Sequence, residues 1–135
     1  MKKKIFVFVA ISLAIAAMCG CQRTRRPLCR VVTQVDIACD HDGLPIRRHY
    51  TDTEKMEAVL LYLRLLRPSG PPITDPDTID ADIYEITVSL SDGQQRIYRQ
   101  KDHRYFRDAL NGWQNVAPDR ASRLYTLMRH YESDL

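Results

Sequence analysis

Residues 29–43 read CRVVTQVDIACDHDG, and the reading of this stretch decides the fold. Cys29, Val31, Thr33, Val35, Ile37 and Cys39 stand at every second position, with Arg30, Gln34 and Asp36 between them. A period of two marks a strand with one buried face. Ten residues of strand would hold the Cys29 and Cys39 Cα atoms about 33 Å apart at ~3.3 Å per residue, whereas a disulfide needs them within ~7 Å. No Gly, Pro or Asn-Gly turn interrupts the run. The two cysteines are therefore expected to stay unbonded, with Cys39 buried as a small apolar side chain. Asp40-His41-Asp42-Gly43 turns the chain, Gly43 supplying the positive φ.

Downstream, residues 44–50 form a return strand. Thr51-Asp52-Thr53-Glu54 has the spacing of a capping box, with Thr51 and Glu54 as the reciprocal pair. Met56, Val59, Leu60, Leu63 and Leu66 then recur at helical spacing until Arg67-Pro68 ends the helix. Residues 68–82 are rich in Pro and Asp and read as a linker. Strands are predicted over 83–90, 95–100 and 104–109, with a short extra one over 113–116. Tyr84, Ile86, Val88 and Leu90 share one face, and the 95–100 strand carries Ile97. Pro118 suits a first helical turn, and Ala121, Leu124, Tyr125, Met128 and Tyr131 give the last helix one apolar stripe. Asp42-Gly43 and Asp92-Gly93 lie 50 residues apart, each inside a hairpin that precedes a helix. The expected fold is a single α+β domain over 29–135: an antiparallel sheet from two hairpin-plus-helix units (about 29–67 and 83–135), with both helices on one face.

The other end of the chain bears on location. Lys2, Lys3 and Lys4 precede an uncharged run from Ile5 to Gly20, the layout of a secretory signal. Its sixteen residues would span about 24 Å as a helix at ~1.5 Å per residue. A hydrocarbon core of ~30 Å usually takes about 20 residues. A cleaved or lipid-linked signal therefore fits better than a permanent span, an uncleaved anchor being the other reading. Met18-Cys19-Gly20-Cys21 resembles the lipobox of bacterial lipoprotein signal peptides. That family usually has Leu where Met18 stands and Ala or Ser where Cys19 stands. The resemblance implies cleavage between Gly20 and Cys21, and diacylglyceryl transfer to the Cys21 sulfur. Residues 1–20 are then the signal peptide and 21–28 the lipid anchor and tether. The protein would face outside the cytoplasm of a bacterial cell envelope, its acyl anchor in membrane lipid. Arg23, Arg25, Arg26 and Arg30 lie beside that anchor, where each contributes ~1 kcal/mol near an anionic leaflet; a solvated linker is the plainer reading.

Removing the signal changes the charge. The chain holds 20 Lys+Arg and 17 Asp+Glu. Three of the bases are the leader lysines, so the remainder is neutral, and charge gives no support for nucleic-acid binding.

Candidate chemistry is sparse. Asp40-His41-Asp42 beside Cys39 is dense in ligand types, but consecutive strand residues point to opposite faces, and the set reads as a hairpin turn. Asp75, Asp77, Asp80 and Asp82 fail the calcium-loop pattern: Ile79 and Ile86 occupy positions five and twelve, and Asp80 stands where Gly is needed. Residues 96–107, RIYRQKDHRYFR, hold Arg96, Arg99, Lys101, Arg104 and Arg107 among aromatics. Those five bases are candidates for an anionic ligand such as a lipid headgroup or wall polymer. The same segment also reads as a two-stranded ladder with Tyr98, Tyr105 or Phe106 in the core and arginine stems over the edges. No serine stands in Gly-x-Ser-x-Gly, and no glycine loop fits a phosphate. No catalytic residue, metal or cofactor is assigned. The expected function is a non-enzymatic binding domain for an unknown protein or envelope ligand, and not for nucleic acid. The alternatives are the anionic-ligand hairpin and a metal-dependent or hydrolytic surface enzyme.

Overall fold

The computed structural model describes residues 31–41, 43–74, 76 and 82–134. Gly20, Cys21, the arginines of the tether, Cys29, Asp42, Asp75, Asp77 and Asp80 lie outside the described residues. The folded unit is Val32–Leu135. It is an α+β fold: one seven-stranded antiparallel sheet with helices packed against its core.

Strand β1 (Val32–His41) pairs with β2 (Leu44–Tyr50) across a turn at Gly43, whose φ is +75°. Helix α1 (Thr53–Leu66) follows, then β3 (Ser69–Ile73). Strand β4 (Ile83–Leu90) returns to β1, with Ile37 opposite Ile86. Strands β5 (Gln95–Lys101), β6 (Tyr105–Arg107) and β7 (Trp113–Asn115) continue outward. The chain ends in α2 (Pro118–Ala121) and α3 (Arg123–His130). The strand order is β2-β1-β4-β5-β6-β7-β3.

The alternation read from residues 29–39 holds in β1 from Val35 through Ile37 to Cys39, all buried. It breaks upstream. A bulge between Val32 and Gln34 shifts the register on β4, and one extra residue reverses which side chains face in. Val32 therefore packs against the core, while Val31 and Thr33 are exposed. Strand β4 places Tyr84, Ile86, Val88 and Leu90 inside as its period requires. Ile97 does not join them: it is 42% exposed, and its neighbours on the other parity, Tyr98 and Gln100, face the core. Cys39 is buried with a free thiol, and burial pushes that thiol up to about 11.

Helix α1 begins one residue later than a Thr51 cap would set it. Asp52 is the N-cap, its carboxylate accepting the Lys55 N–H at 3.3 Å, the same three-residue spacing moved along by one. The chain end completes the job. Asp134 Oδ2 accepts the N–H groups of Thr51 and Asp52 at 2.8 Å each, and Oδ1 accepts from Lys55 Nζ at 2.5 Å. These donors hold the Asp134 carboxyl down at about 2. The helix stops at Arg67, whose φ of +45° puts a non-glycine residue in the left-handed region before Pro68.

Part of the segment read as a linker is structural. Ser69–Ile73 is the outermost strand, pairing with β7 despite Pro71 and Pro72. Proline is tolerated there because an edge strand needs hydrogen bonds on one side only. The last helix is broken in two at Ser122. The core gathers both long helices on one side of the sheet: Met56, Val59, Tyr62 and Leu66 from α1, and Leu124 and Met128 from α3, join Val35, Ile37, Tyr84, Ile86 and Val88.

Candidate functional site

The five bases of residues 96–107 are divided: three share the open face of the sheet, one lies on the core side and one in a turn. Residues paired across neighbouring strands share a face. Arg99 lies opposite Glu85 and Arg107, and Lys101 opposite Tyr105, on the face away from the core. Arg96 lies opposite Val88, on the core side. Arg104 is in the turn, 3.7 Å from the Asp102 carboxylate. Arg99 donates to Glu85 Oε2 at 3.2 Å, and Lys101 Nζ sits 5.1 Å from the centre of the Trp113 ring. A hollow of about 230 Å³ remains between Arg99 and Arg107, with Asp108 in its wall.

A second polar set lies on the same open face. His49 Nδ1 is 2.7 Å from Asp36 Oδ1, in a hollow of about 290 Å³ that also meets Thr87, Glu85 and Ser133. An Asp–His pair suits proton transfer if a nucleophile reaches the imidazole. Ser133 Oγ instead accepts the backbone N–H of His49 at 2.9 Å. His41 Nδ1 is 2.5 Å from Asp82 Oδ2, with the Tyr125 ring 5.0 Å from the imidazole. Among the described residues, no three of His, Cys, Asp and Glu converge on a point where a metal could sit.

A groove of about 750 Å³ lies between α1 and the α2–α3 segment. Its construction begins with the composition of α1. Leu60, Leu61, Leu63, Leu65 and Leu66 crowd two turns, more apolar side chains than one core-facing stripe holds. Met56, Val59, Tyr62 and Leu66 take the core, leaving Leu61 51% and Leu65 42% exposed along the groove wall. Leu127 and Thr126 of α3 face them.

The floor is anchored by a buried polar contact. The Tyr62 hydroxyl donates to Gln100 Oε1, and Gln100 Nε2 donates to the Ala121 carbonyl at 3.1 Å. Gln100 is fully buried, and burial raises the Tyr62 phenol well above its ordinary range. This chain ties the second half of α1 to the end of α2. At the other end, Lys55 Nζ donates to the Glu132 carbonyl at 2.8 Å, just beyond α3. The two long helices therefore run antiparallel along the groove.

That orientation sorts the charge. Arg67 at the end of α1 comes to the same end of the groove as Arg120 and Arg123. His130 and Tyr131 stand at the opposite end. The three guanidiniums are exposed, and none has an ionic or hydrogen-bonding side-chain partner among the described residues. Among the described residues, no acidic side chain lines the groove. Sequence reading passed over this site because its bases come from positions 67, 120 and 123. The one local signal was the surplus of leucine on α1.

No helix among the described residues is long and apolar enough to cross a membrane. No protein-family model, curated protein or solved structure matches this chain.

Proposed function

We propose that this chain is a bacterial lipoprotein of the cell envelope, cleaved before Cys21 and anchored through an acylated Cys21, whose α+β domain is a non-enzymatic binding module. The observation that carries the binding reading is the groove between α1 and α3. Exposed Leu61 and Leu65 lie beside Arg67, Arg120 and Arg123, which have no ionic or hydrogen-bonded side-chain partner among the described residues. An apolar concavity with a few convergent polar groups at one end has the make-up of a small-molecule site. The lipobox-like Met18–Cys21 supports the location. Mass spectrometry of the mature amino terminus tests the anchor: a diacylglyceryl-modified Cys21 is expected. A free terminus at Lys2, or a Cys21→Ser chain that is still processed and membrane-bound, overturns it.

A second reading is favoured by Arg99, Lys101 and Arg107 sharing the open face of β5 and β6. There they would hold an anionic envelope polymer, and Arg96 on the other face becomes an internal control. Charge reversal at Arg99 and Arg107 then weakens salt-sensitive binding to a teichoic-acid or lipopolysaccharide preparation, while reversal at Arg96 does not. Equal losses at all three positions would discard this reading.

The sheet also supports an internal duplication. Hairpin β1–β2 and hairpin β4–β5 flank the central β1–β4 pair in the order β2-β1-β4-β5, with Gly43 and Gly93 both at positive φ. A twofold axis through the β1–β4 pair would exchange them and keep a helix after each on one face. In this reading β6 and β7 are additions to the second unit.

A further inference from the structure

We propose that the α1–α3 groove binds a single-chain fatty-acid carboxylate, the head held by Arg67, Arg120 and Arg123 and the chain laid along Leu61, Leu65 and Leu127. This rests on the reading of the groove as the binding site of a membrane-anchored domain.

The groove is polarised from end to end. The antiparallel helices put three guanidiniums at one end and leave an apolar trough behind them. An acidic amphipathic helix would instead call for bases spaced along both rims. A single-chain lipid with one anionic end matches a trough with one cationic end. The planar guanidinium fork pairs bidentately with a carboxylate. Among the described residues, no acid in the lining competes for it. The volume of about 750 Å³ is that of a small-molecule site. From Ala58 to Arg67 the trough follows α1 for about 14 Å at ~1.5 Å per residue, room for a medium-length acyl chain. Arg67 adds a separate hint. It occupies a left-handed position that ordinarily belongs to glycine, so the chain keeps a guanidinium there at a cost in backbone strain. The neighbourhood implied by an acyl anchor is one where free fatty acids partition.

The test uses the full chain in its own membranes with a photoactivatable dodecanoate. The expected result is cross-linking to peptides containing Leu61, Leu65 or Leu127, competed by dodecanoate and not by dodecanol. Arg67→Gln combined with Arg123→Gln should cut that labelling roughly tenfold, because charge-assisted contacts to the head are lost. Leu61→Ser should also cut it while leaving the fold intact, since Leu61 is half-exposed. Label spread evenly over the chain, or equal competition by dodecanol, overturns the proposal. Displacement by dodecyl phosphate but not by dodecanoate overturns the carboxylate head. If the groove cross-links to a neighbouring protein and takes no lipid label, the fatty-acid ligand falls while the groove stands as a binding site. If neither lipid nor protein reaches the groove, both readings fall.

Discussion

Two sets of basic residues behave in opposite ways. Arg96, Arg99, Lys101, Arg104 and Arg107 lie in one short run of sequence and are divided by the fold between two faces and a turn. Arg67, Arg120 and Arg123 are dispersed in sequence and are collected at one end of a groove. The reason is geometric. A strand sends alternate side chains to opposite faces and spends them on cross-strand partners such as Glu85. Two antiparallel helices bring the end of one beside the start of the other, whatever the sequence between them. A run of charge on a hairpin is therefore mostly ladder, and a functional cluster can be absent from any local window.

The sharpest way to test the division of α1 is to compare two adjacent leucines. Leu66 is 1% exposed in the core, and Leu65 is 42% exposed on the groove. Leu66→Ala should cost about 2–5 kcal/mol of stability, the range for a buried leucine. Leu65→Ala should stay within ~0.5 kcal/mol. Denaturant unfolding of both variants decides it. Similar losses at the two positions would mean that Leu65 is core and that the groove wall is misassigned.

This contrast also shows how far the sequence was legible. The alternation in β1 and β4, the Gly43 and Gly93 turns, and the stripe Met56–Val59–Leu66 are written in local periodicity, and the α+β class follows from them. Strand β3 was not legible, because two prolines obscure an edge strand whose ladder partner β7 lies at Trp113–Asn115, far along the chain. Nor was Gln100 in the core, since a polar residue on a strand is ordinarily read outward. Its burial depends on Tyr62 and Ala121, which come from other elements. The groove needed all of this at once: the surplus leucines of α1, the antiparallel placement of α3, and the broken helix at Ser122.

The polar tie beneath the groove gives the next effect in size. Tyr62→Phe removes the donor to Gln100 Oε1, and Gln100 has no access to water. An unsatisfied buried acceptor costs ~1–3 kcal/mol. Thermal unfolding should register that loss, and Tyr62→Phe combined with Gln100→Leu should recover part of it. A double variant weaker than the sum of the single ones would show that the pair is not a closed unit.

Arg67 separates stability from binding more directly. A non-glycine residue in the left-handed region costs ~1–2 kcal/mol, so Arg67→Gly should stabilise the fold by about 1 kcal/mol while removing one of the three groove guanidiniums. Arg67→Lys should keep the strain and lose only the fork. A fall in unfolding midpoint for Arg67→Gly would mean that the guanidinium itself supports the fold, and the contrast with Arg99 would narrow.

The smallest effect belongs to the hairpin. Arg99 and Glu85 form an ion pair in which both side chains are about half exposed, so solvent screens most of the attraction. A double-mutant cycle with Arg99→Ala and Glu85→Ala should give a coupling of ~0.2–1 kcal/mol that shrinks as salt is raised. Arg123→Ala, with no acidic partner among the described residues to lose, should leave stability unchanged within ~0.5 kcal/mol at any salt concentration. The two arginines then differ in kind: one has its charge answered by Glu85, and the other stands at the mouth of the groove with no acidic partner among the described residues. A coupling for Arg99 and Glu85 indistinguishable from zero would return Arg99 to the pool of bases free to meet an external anion, and would strengthen the hairpin reading at the expense of the groove.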